Sequence, residues 1–292
     1  MAEQRVIVSQ LEKQLDETWN LIDELFAGMS SDDWQRKHGA DWIFADLPWH
    51  LSYIDKDFVL IPMRKGSELP VQERLGFPSA AALNEWNDAM IASRPAEQTV
   101  AQSIDLMRTV REECRNLVSG MNDTSLDEKS WFPLVSLRGW RTKATPVSFC
   151  FNHTYGHFME ARLRLDRHAP TPTPDLIHAR LSGIMDLIQI GMNKDAVATT
   201  KMTFGMNFSG PGGGSWTIGV NEGDVTVEEK QASNPDFEMT QRPETFEAML
   251  VRAINPLWAM VTGKIKVKGI RNIPGFFKLL SPPPLTEVIE PV

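Results

Sequence analysis

Cysteine, positive charge and long apolar runs are all scarce in this sequence, and each scarcity excludes a class of protein. The only two cysteines, Cys114 and Cys150, occupy core-facing positions of helical patterns. Such usage is typical of reducing compartments and excludes a disulfide-stabilised secreted scaffold. Lysine and arginine total 30 against 38 acidic residues, for a formal net charge of −8. This acidic balance argues against a nucleic-acid binder, because such proteins are usually basic.

Apolar residues are plentiful, but none of their uninterrupted runs approaches the length needed to cross a bilayer. The first residues, Met-Ala-Glu-Gln-Arg-Val, also lack the apolar core of a signal peptide. We therefore expect a cytoplasmic protein without a transmembrane segment. A length of 292 residues suits two domains better than a single core. Nothing in the pattern indicates an oligomeric state.

The first half of the chain has the apolar spacing of four long amphipathic helices. They cover residues 5–27, 41–64, 99–121 and 145–166. Pro48 leaves the start of the second helix open: either Asp46 caps a helix that has Pro48 in its first turn, or an earlier helix kinks there. Thr99 and Gln102 form a capping box at the start of the third helix. Thr145 is a suitable N-cap for the fourth, with Pro146 at its first position. One long connection, residues 66–98, separates the second helix from the third, and the whole predicts a four-helix bundle.

Two histidines stand one turn apart on the fourth of these helices. His153 and His157 are four residues apart, which places both imidazoles on one helix face. The pair could supply two ligands of a metal site. Two histidines that are only hydrogen-bonded to neighbouring residues would show the same spacing. Bundles build metal sites from facing helices, and His50 on the second helix is the natural third ligand. Three neutral imidazoles suit zinc first, with nickel or ferrous iron as alternatives.

Polar residues beside these histidines are candidates for catalysis. Glu160 falls on the same helix face as His157, and Tyr53 and Asp57 fall close to the face of His50. Each could orient a ligand or carry a proton, and we name Glu160 and Tyr53 as the candidate catalytic residues. An ordinary polar residue of a helix would fit each position equally well.

The order of these residues resembles a known family. The segment Trp42…Asp46-Leu-Pro-Trp-His50-Leu, followed far along the chain by His153-x3-His157, is similar to the DinB family over roughly residues 5–167. The resemblance implies a metal-dependent bundle with His50, His153 and His157 as ligands. The family includes mycothiol-dependent isomerases and thiol S-transferases, and also members without a known activity. The resemblance therefore implies a divalent metal. It implies a low-molecular-weight thiol only if this chain shares the activity of the thiol-dependent members.

A proline-rich segment, residues 168–174, interrupts every periodicity and predicts a stiff linker. The predicted domains are thus residues 1–167 and 175–292. A helical pattern over 176–192 follows, and residues 201–208 then alternate with a period of two, as in a strand with one buried face. More short strands come next, with helices at 242–255 and 273–280, so the second half predicts an α+β domain.

The second half resembles the sterol carrier protein 2 family over roughly residues 174–282. The stretches that carry the resemblance are Gly-Gly-Ser-Trp-Thr-Ile-Gly-Val-Asn-Glu-Gly-Asp (213–224), Asn-Pro-Asp-Phe-Glu-Met-Thr (234–240) and Gly-Lys-Ile-Lys-Val-Lys-Gly (263–269). The resemblance implies an apolar tunnel that accepts a lipid-like small molecule. Candidate lining residues are Met206, Trp216, Phe246, Leu250, Trp258, Met260, Phe276 and Phe277. Ordinary core residues have the same spacing.

Basic residues concentrate near the end of this acidic chain. They are Lys264, Lys266, Lys268, Arg271 and Lys278. A solvated strand face is the simplest explanation, and docking to anionic lipid head groups is the alternative.

Two functions fit these patterns. The first is a divalent-metal-dependent enzyme of the thiol-dependent isomerase or transferase type, whose second domain supplies or covers the substrate. The alternative is a non-catalytic lipid or sterol carrier in which the histidine site is structural or vestigial.

Overall fold

The structure is a computed structural model that describes residues 7–38, 42–68, 77, 79–134, 139–165 and 169–280. The chain forms two compact units. The boundary between them in the sequence falls between Thr154 and Tyr155, inside one continuous helix. None of the described helices combines the length and the apolar character that crossing a bilayer requires.

Helices make up most of the described N-terminal unit. They are α1 (Val8–Ala27), α2 (Ser31–Trp34), α3 (Leu47–Ile54), α4 (Ile61–Lys65), α5 (Ala80–Ala92), α6 (Val100–Ser119) and the first part of α7 (Ala144–Leu165). Two antiparallel hairpins accompany them, formed by β1 (Lys37–His38) with β2 (Trp42–Ile43) and by β3 (Lys129–Phe132) with β4 (Gly139–Thr142). The predicted helical bundle is confirmed.

The helical segment predicted over residues 41–64 is not a single helix. Of its two predicted starts, the one with Asp46 before the helix and Pro48 in the first turn is confirmed, although the Asp46 side chain makes no cap hydrogen bond. Its first described residues form β2, and a 3-10 turn, Phe44–Asp46, leads into α3. A π-helical turn, Asp55–Leu60, then separates α3 from α4. Pro62 in the first turn of α4 has no N–H to donate, so a regular α-helical ladder cannot run through this point. The interruption therefore has a local cause.

The predicted starts of the third and fourth helices are close to those of α6 and α7. Thr99 Oγ1 accepts a hydrogen bond from the Gln102 N–H, and the Gln102 side chain accepts one from the Thr99 N–H, as expected of a capping box. Helix α7 begins at Ala144, so Thr145 is not its N-cap but lies with Pro146 in its first turn. A proline is tolerated there because first-turn N–H groups have no intrahelical partner. Asp166, its predicted end, lies outside the described residues.

The C-terminal unit combines a mixed sheet with helices. Its further helices are α8 (Pro174–Gly191), α9 (Lys194–Ala198), α10 (Pro243–Leu250), α11 (Pro256–Val261) and α12 (Ile273–Leu280). Its strands are β5 (Lys201–Phe208), β6 (Gly214–Asn221), β7 (Asp224–Glu228), β8 (Phe237–Gln241) and β9 (Ile265–Lys268). The sheet order is β7-β6-β5-β8-β9, with β5 and β8 parallel and the other neighbours antiparallel. This confirms the predicted α+β class.

A single apolar cluster lies against this sheet. Strands β5 and β6 bury alternate side chains, because successive residues of a strand point to opposite faces. Helices α8 and α12 add Leu181, Met185 and Leu279 to the same cluster. The predicted helix over 242–255 is too long: α10 ends at Leu250, and Arg252 has a left-handed φ of 56° that no α-helix continues through.

The predicted linker is partly helical. Thr173 caps α8 by accepting a hydrogen bond from the Leu176 N–H, and Pro174 is the first residue of that helix. Residues 169–173 have no regular structure, and residue 168 lies outside the described part. The domain limits 1–167 and 175–292 stay predictions.

Candidate metal centre

Two predicted ligands meet inside the N-terminal unit. His50 lies in the first half of α3 and is 2% exposed, and His153 lies midway along α7. Their Nε2 atoms are 3.2 Å apart. Each of these atoms carries either a proton or a lone pair, so the short distance needs a proton or a cation between two lone pairs. The distance suits an N–H···N hydrogen bond between the two rings, and it also suits two ligands of one metal ion.

His157, the third predicted ligand, follows His153 by one turn of α7. One ring nitrogen from each of His50, His153 and His157 lies within 4.8 Å of the others. Three imidazoles at this separation could hold a metal ion. All three predicted ligands are thus brought together, and their role as ligands stays a prediction.

Tyr53 contacts the nitrogen of His50 that lies away from His153. Its hydroxyl lies 2.8 Å from His50 Nδ1 and 3.2 Å from Asn87 Oδ1. Burial raises the pKa of Tyr53, and the charge of Asp88 adds to the effect, so the phenol keeps its proton at neutral pH. The phenol has one proton, which it can donate either to His50 Nδ1 or to Asn87 Oδ1. When it donates to Asn87, it accepts from the His50 Nδ1–H, and the lone pair of His50 is then on Nε2, as a metal ligand requires.

Glu160 stands beside His157 on α7. Its Oε2 atom lies 3.5 Å from His157 Nδ1, and its Oε1 atom accepts a hydrogen bond from Arg164 Nε at 2.8 Å. A carboxylate next to the outer nitrogen of an imidazole is the usual partner of a metal-binding histidine. The geometry therefore gives Glu160 an orienting position, and its catalytic role stays a prediction.

His38 was not predicted from the sequence. It is 2% exposed, and one of its ring nitrogens lies within 4.8 Å of ligand atoms of His157 and Glu160. His38 sits in the two-residue strand β1, where neither helical periodicity nor a motif singles it out. Only the tertiary fold could identify it.

Aromatic rings pack around the His50–His153 pair. The ring of Trp42 lies 4.7 Å from that of His50, and the ring of Phe149 stacks on that of His153 at 5.3 Å, centroid to centroid. Trp86 packs edge-on against Tyr53 at 5.2 Å. Apolar rings lower the local dielectric and so strengthen the electrostatic interactions of the imidazoles.

A second buried polar cluster lies in the same unit. Arg111 Nε lies 3.2 Å from Asp55 Oδ2, and Cys150 Sγ donates a hydrogen bond to Asp55 Oδ1 at 3.2 Å. Burial raises the pKa of Cys150 and of Cys114, with Asp55 adding to both shifts. Neither thiol is therefore a thiolate nucleophile at neutral pH. Both cysteines are buried, as predicted.

The predicted tunnel residues fall into two groups. Met206, Trp216, Phe246 and Phe276 belong to the buried cluster of the C-terminal unit. Leu250, Trp258 and Phe277 are 46%, 62% and 57% exposed, and Met260 is half-buried. The second group lies outside that cluster, on α10, α11 and α12. A lining role stays a prediction for all eight.

Known proteins resemble each half of the chain. The family model described as the DinB superfamily matches residues 14–161, which is half of the chain, and that of the SCP-2 sterol transfer family matches residues 185–273. No curated protein sequence matches the chain.

Solved structures with a similar fold include a mycothiol-dependent maleylpyruvate isomerase, with a TM-score of 0.52 and 8% identity over 83% of this chain and 88% of that one. A histidine-to-alanine mutant of that isomerase matches equally. Sterol carrier protein 2 from Yarrowia lipolytica, in its apo form, has a TM-score of 0.27 and 22% identity over 33% of this chain and 85% of that one. At 8% identity, the likeness to the isomerase concerns the fold alone.

Proposed function

The chain belongs to the DinB superfamily, and from this premise we propose that it is a divalent-metal-dependent enzyme of the thiol-dependent isomerase or transferase type. Its metal ligands would be His50, His153 and His157, with zinc as the first expectation and nickel or iron as alternatives. The observation that carries the proposal is the 3.2 Å approach of His50 Nε2 to His153 Nε2.

The donor set fits a catalytic metal. Three imidazoles are the ligand set of well-known catalytic zinc sites, whereas structural sites are closed by four protein ligands. When bound, a divalent metal lowers the pKa of a coordinated water or thiol and polarises a carbonyl group. A low-molecular-weight thiol as co-substrate is part of the proposal because the DinB family includes thiol-dependent isomerases and transferases.

Residues around the ligands would prepare them for this chemistry. Tyr53 would accept the Nδ1 proton of His50, so that Nε2 would be available to the metal. Glu160 would accept the Nδ1 proton of His157 or a proton released during the reaction. Arg164 holds the carboxylate of Glu160 from its other oxygen.

The C-terminal domain would bind an apolar, lipid-like ligand. The match to the SCP-2 sterol transfer family supports this part of the proposal. The buried cluster is rich in methionine and phenylalanine, and methionine in particular adapts to ligands of irregular shape. The two free, buried cysteines support a cytoplasmic location.

Metal analysis of the protein purified without a histidine tag tests the enzyme proposal. We expect about one divalent ion per chain, lost in His50→Ala and in His153→Ala, because each change removes one of three ligands. His178→Ala is the matched control, since His178 lies in α8 of the C-terminal unit and belongs to neither histidine group. A folded wild-type protein without metal, or equal loss of metal in the control, would contradict the proposal.

Tyr53→Phe tests the orienting hydrogen bond. The change keeps the ring but removes the acceptor of the His50 Nδ1–H, and loss of such a partner typically weakens metal affinity about 10- to 100-fold. Competition with a chromophoric chelator measures the change. Tyr155→Phe is the control, because Tyr155 packs against Arg180 in the C-terminal unit, and its metal affinity is expected to match that of the wild type.

A non-catalytic lipid carrier is the second candidate, and the match of residues 185–273 favours it. Native mass spectrometry distinguishes the two. A co-purified fatty acid or sterol on a metal-free protein would support the carrier, whereas a bound metal supports the enzyme.

A further inference from the structure

Charge is segregated along this chain. Between residues 248 and 286 the sequence has no aspartate or glutamate, although the whole chain has a net charge of −8. The same segment contains six basic residues: Arg252, Lys264, Lys266, Lys268, Arg271 and Lys278. A positive region on an acidic protein creates a local field that selects an anionic partner.

Helix α11 lies within this segment and exposes large apolar side chains. Leu257, Trp258 and Val261 are 71%, 62% and 79% exposed. The helix is nevertheless well formed, because Asn255 Oδ1 accepts a hydrogen bond from the Leu257 N–H and Ala259 is completely buried beneath it. The helix therefore exposes an apolar face to solvent, while Ala259 anchors its other side in the domain.

Basic residues precede and follow α11 along the chain. Strand β9 comes after α11 and contacts it, and Lys264, just before β9, and Lys266, within β9, are exposed on either side of the buried Ile265. Among the described residues neither lysine forms an ion pair, whereas Lys268 is held 3.0 Å from Glu238 Oε1. Leu250 and Arg252, both exposed, precede α11. We call these seven residues the basic–apolar patch: Leu250, Arg252, Leu257, Trp258, Val261, Lys264 and Lys266.

We propose that the basic–apolar patch docks onto the surface of a lipid bilayer with anionic head groups. Tryptophan and aliphatic side chains partition into the boundary between head groups and acyl chains, and nearby lysines are attracted to anionic lipids. A second copy of the chain fits less well, because a two-fold interface through this patch would bring like charges together. The inference goes beyond the proposed function and does not depend on the metal site.

Co-sedimentation of the full-length chain with vesicles tests the proposal. We expect binding to vesicles of phosphatidylcholine with phosphatidylglycerol, little binding to pure phosphatidylcholine, and weaker binding at higher salt. Trp258→Ser combined with Val261→Ser removes the apolar anchor and is expected to abolish binding. Lys264→Gln combined with Lys266→Gln is expected to weaken binding about fivefold per charge.

Matched variants separate this effect from general changes in charge or hydrophobicity. Lys194→Gln combined with Lys201→Gln removes two exposed charges from the same unit, and Leu106→Ser removes an apolar side chain of α6 that is 36% exposed. Both are expected to bind as the wild type does, and circular dichroism checks the folding of each variant.

Three results would overturn the proposal. One is the absence of binding to anionic vesicles, and another is equal binding of the patch variants and their controls. The third is a stable dimer, seen by analytical ultracentrifugation, that Trp258→Ser with Val261→Ser dissociates, because the patch would then join two copies of the chain.

Discussion

The N-terminal unit buries many polar side chains, whereas the C-terminal unit buries few. Among the described residues, thirteen buried polar or charged side chains lie in the N-terminal unit, against three in the C-terminal unit. The main cluster of the C-terminal unit is entirely apolar. A buried polar group costs stability unless it is hydrogen-bonded or paired, so packing alone does not favour the arrangement of the N-terminal unit. The difference is compatible with the proposed reaction chemistry in the bundle and the proposed apolar ligand in the second domain.

Each unit nevertheless contains one buried ion pair that allows a direct comparison. Arg111 and Asp55 are 3% and 0% exposed, and Arg180 holds Glu247 through two contacts of 2.8 and 3.2 Å. Arg180 also lines a cavity of about 50 Å³, large enough to admit a water molecule, which could solvate its charge if Glu247 were lost. Arg111 and Asp55 are therefore more completely buried than Arg180 and Glu247.

Breaking these ion pairs is the largest effect that we predict. Asp55→Ala leaves Arg111 as an unpaired buried charge and is expected to lower the free energy of unfolding by about 3–5 kcal/mol. Glu247→Ala is expected to cost less, because water can reach Arg180. Hydrogen exchange measured by mass spectrometry reports the loss separately for peptides of each unit. The double variant Asp55→Leu with Arg111→Met should recover much of the loss, and no recovery would contradict this explanation.

The two tyrosines extend the comparison to high pH. Burial raises the pKa of Tyr53 and of Tyr155, and Arg180 partly offsets the shift of Tyr155. Below pH 10 both phenols are protonated in the folded and the unfolded chain, so they add no pH dependence. Above pH 10 the unfolded chain loses these protons first, and the free energy of unfolding falls by about 1.4 kcal/mol per pH unit for each tyrosine.

Absorbance of the phenolate at 295 nm measures this titration. We expect it to appear only when the chain unfolds, and the loss of stability above pH 10 to be smaller in Tyr53→Phe than in the wild type. Comparing the two proteins cancels the parallel effect of the buried thiols. Phenolate absorbance near pH 10 in the folded protein would show that the tyrosines are accessible to water.

Helix caps provide the smallest predicted effect. Thr99→Ala removes a reciprocal capping box on α6 and is expected to lower the free energy of unfolding by about 1 kcal/mol. Thr173→Ala removes a single hydrogen bond at the start of α8 and should cost less. Thr109→Ala, on the exposed face of α6, is the control for the loss of a threonine. Denaturant unfolding measures all three, and an equal loss in the control would rule out a capping effect.

Much of the fold could be predicted because its causes are local. The capping box of Thr99 and Gln102, the alternation along β5 and the last helix, α12, are all confirmed. The π-helical turn before Pro62 and the early end of α10 were missed, since each interrupts a segment whose apolar spacing is helical throughout. Periodicity does not record such interruptions.

The sequence by itself determined which residues share a face. It placed His153 and His157 one turn apart on α7, and it made alternate residues of β5 apolar. Only the tertiary structure decided what each face meets: it brought His50 Nε2 within 3.2 Å of His153 Nε2, added His38 beside His157, and turned Trp258 outward. The physical reason is that hydrophobic period is a property of one element, whereas contact and exposure depend on how elements distant in sequence pack together.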